Sequence, residues 1–222
     1  MASLILIEGL PGSGKSSLAA HIHEYLKSQG KNSELMLETA HVNPFRFKAG
    51  TSQETVIDEF LTSIPDQWRS FADLNAPTEK LFVQEGMTFQ QQVTILIWMN
   101  RANDIDPLIQ KIHANLARFD CALIFLKSTR YQQSLRETVV KRGTKWIEEK
   151  LKPIASSPFA LVRGLQFPDA LTEMLEEMNR INDKLYGEFP FKKKTIDITN
   201  RDWPRIQHEA ETFLNTRMEN RG

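Results

Sequence analysis

Five short apolar runs punctuate the chain: SLILIE (3–8), SELMLE (33–38), KLFVQE (80–85), CALIFLK (121–127) and KTIDIT (194–199). Each has the length of a strand and is bounded by polar or turn-forming residues. Between them the apolar positions recur at helical spacing. Leu18, Ile22 and Leu26 form one stripe before Gly30, and Ile105, Ile109, Ile112, Leu116 and Phe119 form another with Asp106 and Pro107 at its start. A third stripe runs through Leu171, Leu175, Met178 and Leu185. The unbroken run VTILIWM (93–99) fits a buried strand or a buried helix, and its place between two parallel strands favours the helix. Strands alternating with helices predict an α/β protein with a parallel sheet covered on both faces.

Residues 44–79 interrupt the alternation with a capping-box pattern at Thr51 and Glu54, followed by Pro65 and Pro77. This stretch reads as a helical insertion beside a substrate pocket. The lysines at 192–194 precede the last strand-like run and read as a solvated strand edge. A chain of 222 residues, 41% of them hydrophobic, supports one core, so residues 1–222 read as a single domain. Lys plus Arg and Asp plus Glu balance at 28 each, which leaves no global field to attract nucleic acid or an acidic membrane. Recognition by specific contacts is expected, with no nucleic-acid or membrane partner. The first residues lack a secretory leader pattern, and no apolar run reaches membrane-spanning length, so a cytoplasmic protein is expected, as a monomer or homodimer. The single cysteine, Cys121, sits in an apolar run and reads as an inert buried thiol.

Directly after the first run, Gly9, Gly14, Lys15 and Ser16 satisfy G-x-x-x-x-G-K-[ST], with Gly12 as a further glycine. Strand, loop and helix follow in the order a phosphate loop requires. Its glycines let backbone N–H groups turn inward around phosphates, and the helix N-terminus adds positive potential. ATP contacts are therefore expected from Gly9, Pro11, Gly12, Ser13, Gly14, Lys15, Ser16 and Ser17. Lys15 should reach the β and γ phosphates while packing against little else, and the Ser16 hydroxyl can ligate Mg2+. The guanine-reading N-K-x-D and the D-x-x-G of Ras-like switches are absent. The third run ends in Glu85, the candidate acid for positioning Mg2+ directly or through water.

The phosphate loop, together with the layout of the remaining runs, resembles the P-loop kinases of the nucleoside and nucleoside monophosphate kinase group, including thymidylate-kinase-like proteins. The resemblance implies a doubly wound five-stranded parallel sheet in the order 2-3-1-4-5. It also implies ATP- and Mg2+-dependent phosphoryl transfer to a small-molecule hydroxyl or phosphate acceptor, with nucleosides or nucleotides as first candidates. Acids end the second and third runs in that group, and Glu38 and Glu85 occupy similar places. Glu38 is then a candidate to accept a hydroxyl proton, with His41 nearby in sequence. Two features depart from the group's pattern: Gly86 stands where an arginine usually follows the second acid, and the Glu-Pro-Val pairing after the first is missing. In these kinases the loop after the fifth strand borders the base, which implicates Asn200, Arg201 and Trp203. Trp203 followed by Pro204 also reads as an ordinary helix start with its indole packed in the core.

Between Lys127 and Lys152 there are eight basic and three acidic residues, a local excess of five in a neutral chain. A closing lid, spanning 127–165, accounts for this, with Arg130, Arg136 and Arg142 as candidates to stabilise charge on the moving phosphoryl group. Arg136 lies six residues from each of the others, so one straight helix cannot aim all three at one point. Two other classes share these features: a regulatory or nucleic-acid-associated P-loop ATPase, and an ATP-binding module without turnover.

Overall fold

The computed structural model describes residues 1–38 and 53–219. Each apolar run becomes a strand: β1 (Ser3–Gly9), β2 (Ser33–Leu37), β3 (Leu81–Glu85), β4 (Asp120–Lys127) and β5 (Lys192–Asp197). They form one sheet in the order β2-β3-β1-β4-β5, with every pairing parallel. The helices between them are α1 (Lys15–Ser28), α2 (Gln53–Asn75), α3 (Gln90–Trp98), α4 (Ile105–Leu116), α5 (Tyr131–Trp146), α6 (Pro158–Arg163), α7 (Asp169–Glu188) and α8 (Trp203–Glu219).

Successive strand side chains point to opposite faces, and both faces are buried. Leu4, Leu6, Phe82 and Leu123 join a cluster with residues of α2, α3, α4 and α7. Ile5, Ile7, Val83, Ile124 and Ile196 join a second cluster with Leu18, Ile22 and Leu26 of α1 and Ile206, Ala210 and Leu214 of α8. This two-sided burial is why the three inner strands, β1, β3 and β4, read as continuous apolar runs rather than alternating ones. Cys121 lies in the first cluster, and burial pushes its thiol up to about 12, as expected of an inert side chain. No described helix is long and apolar enough to cross a membrane.

Several boundaries differ from those the sequence suggests. The three lysines lie within β5 rather than before it; Lys192 and Lys194 are exposed because β5 is an edge strand with β4 as its one strand neighbour. Helix α2 runs through Pro65, where its buried residues Phe60, Ile64, Trp68 and Ala72 dock it on the core. Thr51, and the side chain of Glu54, lie outside the described residues. Helix α4 stops at Leu116, and Phe119 is buried just beyond it. VTILIWM falls in and just after α3, as its position favours. Helix α6 is unanticipated, although Ser157 caps it through Oγ, which accepts the Ala160 N–H at 3.2 Å, and Gly164 closes it at φ 66°.

On α4, His113 is packed edge-on against Phe189 and Phe191 and tilted against Phe89, and its Nε2 is buried without a partner. Burial pushes its pKa from 6.5 down to about 4. The unfolded chain therefore binds more protons between these values, so stability is full above about 6.5 and falls as the pH drops toward 4. A thermal melt series should show this decline, and His113→Phe should flatten it; an unchanged slope in the variant would place the acid sensitivity elsewhere.

Candidate functional site

The register brings three acids to the C-terminal edge of the sheet. Ile7 and Leu37 both pair with Glu85, so Glu8 on β1 and Glu38 just after β2 each stand one residue beyond the level of Glu85 on β3, which lies between them. Immediately beyond Glu8 the chain enters the phosphate loop. Gly12 and Gly14 take positive φ, 78° and 89°, the left-handed backbone that turns the loop. At Gly14 the space is also filled: a Cβ there would fall 2.0 Å from Cη2 of Trp203. The indole thus starts α8 and packs against the loop from the second cluster.

Lys15 opens α1 and is 4% exposed. Its Nζ donates to the Leu10 carbonyl at 3.1 Å, contacts Gln90 Oε1, and lies 4.0 Å from Glu85 Oε1. The expectation that Lys15 packs against little else is therefore wrong: the closed end of the sheet surrounds it with polar groups. Glu85 Oε2 accepts the backbone N–H of Glu38 at 3.2 Å, and Glu38 Oε2 accepts from Gln90 Nε2 at 2.9 Å. Burial pushes the Glu38 carboxyl up to about 7, against the pull of Lys15 and with help from Glu85 and Glu8. Gly86 makes this proximity possible. At φ 70°, a Cβ on it would sit 2.9 Å from Glu38 Oε2 and 3.3 Å from Lys15 Cε.

Sequence reasoning missed Glu8 and Gln90. Glu8 is 1% exposed; its Oε1 accepts the N–H groups of Thr88 (2.8 Å) and Phe89 (3.0 Å), and its Oε2 accepts that of Gln90 (3.1 Å). An anion at the α3 N-terminus satisfies donors the helix leaves open. Burial nevertheless raises the Glu8 pKa, opposed by these bonds and by Lys15. A charge inside LILIEG, one residue before the first loop glycine, is a visible signal. Nothing in the triplet of glutamines at 90–92 singles out Gln90.

The loop has the open, polar character that the phosphates of a nucleoside triphosphate need. Helix α1 has no side-chain N-cap and no acid in its first turn. The Ser13 hydroxyl is buried without a partner, while Ser16 and Ser17 are exposed at the mouth. Among the described residues no group of three His, Cys, Asp or Glu side chains could hold a metal ion. A Mg2+ ion would thus need phosphate oxygens beside Ser16 and Glu85.

The remaining candidates lie on two neighbouring loops and α5. The Thr129 N–H donates to Thr199 Oγ1 at 3.1 Å, joining the ends of β4 and β5. Arg201, at φ 51°, places its Nε 3.3 Å from Glu137 Oε2 of α5, and Asn200 beside it is exposed. Arg130 is the exposed residue preceding α5, and α5 breaks its helical geometry at Gly143 (φ 76°, ψ −178°). The side chains of Arg136 and Arg142, and His41 altogether, lie outside the described residues.

Comparison with known proteins yields a family match over part of the chain and likenesses of fold to solved structures. The family model described as nephrocystin 3, N-terminal, matches residues 1–104. No curated protein matches the sequence. The thymidylate kinase from Candida albicans is 13% identical with a TM-score of 0.53, covering 98% of this chain and 92% of its own. The deoxyadenosine kinase from M. mycoides, solved with bound dATP, is 15% identical with a TM-score of 0.54, covering 96% of this chain and 99% of its own. Together with the strand order, these likenesses give the chain the fold of P-loop nucleoside and nucleoside monophosphate kinases.

Proposed function

We propose that the protein is an ATP- and Mg2+-dependent phosphotransferase acting on a small-molecule hydroxyl or phosphate acceptor, with nucleosides and nucleotides as first candidates. One observation carries the reading: the phosphate-loop lysine and two strand-end carboxylates, Glu38 and Glu85, converge beside Gly86, which leaves room for Glu38 to approach Lys15. Two structural neighbours are kinases by name, a thymidylate kinase and a deoxyadenosine kinase.

When bound, ATP supplies the phosphoryl group and Mg2+ neutralises part of its charge. The loop N–H groups and Lys15 hold the phosphates, Ser16 and Glu85 hold the metal side, and Glu38 takes up the acceptor's proton. A carboxyl near 7 is well matched to that transfer at neutral pH. In this reading the chain is one domain, residues 44–79 shape the acceptor side, and 127–165 close over the phosphates. Arg130, Asn200 and Arg201 then border the nucleotide.

The test is acceptor-dependent ADP formation across nucleosides, nucleotides, sugars and aminoglycoside-like compounds. Stimulation by one of these classes supports the reading. ATP hydrolysis that ignores all of them and responds to DNA, RNA or protein would overturn it in favour of a regulatory ATPase. ATP binding without turnover would leave a nucleotide-binding module.

Glu85→Gln separates metal positioning from structure. Turnover should fall by about tenfold or more with ATP affinity little changed, because a metal-positioning acid matters most as charge moves in the transition state. Equal losses of binding and turnover would assign Glu85 to the structural network around Lys15.

A further inference from the structure

The buried amide of Gln90 bridges the two sides of the candidate site. Its oxygen faces Lys15 Nζ, and its nitrogen donates to Glu38 at 2.9 Å. The side chain is placed from behind: Glu8 accepts the Gln90 N–H at 3.1 Å along with those of the two residues before it, and the Gln91 N–H donates to the Gly86 carbonyl at 3.0 Å. Gln90 is 9% exposed, so water does little to replace either bond.

A phosphate-loop lysine is useful when its ammonium reaches the β and γ phosphates. Here the ammonium is drawn to Gln90 and to the loop's own Leu10 carbonyl, 3.1 Å away. Phosphates and the Gln90 amide therefore compete for one cation. A protein group that stabilises only the nucleotide-free arrangement lowers nucleotide affinity by the population it holds there.

We infer that Gln90 is a positioning residue that restrains Lys15 in the nucleotide-free site and links nucleotide binding at the loop to release of Glu38 on the acceptor side. The inference rests on the phosphate-loop reading, not on the identity of the acceptor. Once Lys15 turns to phosphate, the amide oxygen loses its donor, and a buried acceptor left unmet is costly. The amide then rotates or takes a donor from an incoming substrate, and either response alters its bond to Glu38. Nucleotide binding thereby prepares the acceptor side, and by reciprocity an acceptor bound there favours nucleotide.

The measurement is calorimetric binding of a non-hydrolysable ATP analogue with Mg2+ to wild type, Gln90→Leu and Gln90→Met. Both substitutions keep approximate volume and helical preference while removing the amide. The expected result is nucleotide binding about tenfold tighter than wild type in either folded variant, the size of one hydrogen bond to a charged group. A merely structural role would weaken binding, and a bystander would leave it unchanged; either result overturns the inference. Wild type that fails to bind the analogue would overturn the phosphate-loop reading itself. Wild type that binds, with variants that bind no tighter, would overturn only the role given to Gln90.

Discussion

Replacing Lys15 with alanine is expected to abolish phosphoryl transfer, with single-turnover rates down by roughly a thousandfold or more, since the lysine is the loop's direct contact with the transferring group's charge. The substitution should also lower thermal stability. Lys15 is nearly inaccessible, lies 4.0 Å from Glu85, and draws the Glu8 and Glu38 pKa values downward. Without it, buried carboxylates face one another with their shared cation removed, and breaking a buried pair in this way costs about 3–5 kcal/mol. Lys15→Met, which keeps the aliphatic stem, should retain more of the packing but none of the transfer. Paired activity and melting measurements distinguish the two effects. Wild-type turnover in either variant would exclude the phosphate-loop assignment, and an unshifted melting temperature in Lys15→Ala would show that the acids are neutralised by other means.

Much of this arrangement is legible in the chain because it depends on local pattern. The glycine spacing of the phosphate loop fixes its backbone, and the flanking runs fix the strand and helix that hold it. Glu38 and Glu85 are legible as acids ending apolar runs. Their convergence is not in the pattern of the runs: it follows from β3 lying between β1 and β2, an order that only the family resemblance implies, through a pairing between segments nearly fifty residues apart. Gln90 is invisible for the same reason: its partners Lys15 and Glu38 are 75 and 52 residues away in sequence. Gly86 shows the converse. It departs from the family pattern, yet in the fold it supplies the space that lets Glu38 approach Lys15. Trp203 stands between these cases. Its place at a helix start is readable from the following proline, but its packing against Gly14 arises where α8 returns to the sheet beside the loop.

Arg136→Ala and Arg142→Ala are expected to depress turnover of one or both variants by about a hundredfold or more, the effect of losing an arginine that stabilises a phosphoryl-transfer transition state. The two positions are six residues apart, which on a regular helix turns them to different directions, so the losses should be unequal. Helix α5 is regular up to the break at Gly143, immediately after Arg142. Near its middle the helix is tied to the β5–α8 loop through Glu137 and Arg201, which gives a closing movement a fixed point beside that loop. If 127–165 close in this way, ATP with an acceptor should protect the segment from proteolysis, since closure orders it. Nucleic acid should neither stimulate the wild type nor rescue the variants. A partner-binding segment predicts the opposite set: the same substitutions would weaken DNA or RNA binding, reduce its salt dependence and spare basal ATP hydrolysis. Equal protease protection with and without ligands, in a protein that binds RNA tightly at physiological salt, would replace the small-molecule kinase with a nucleic-acid-associated ATPase.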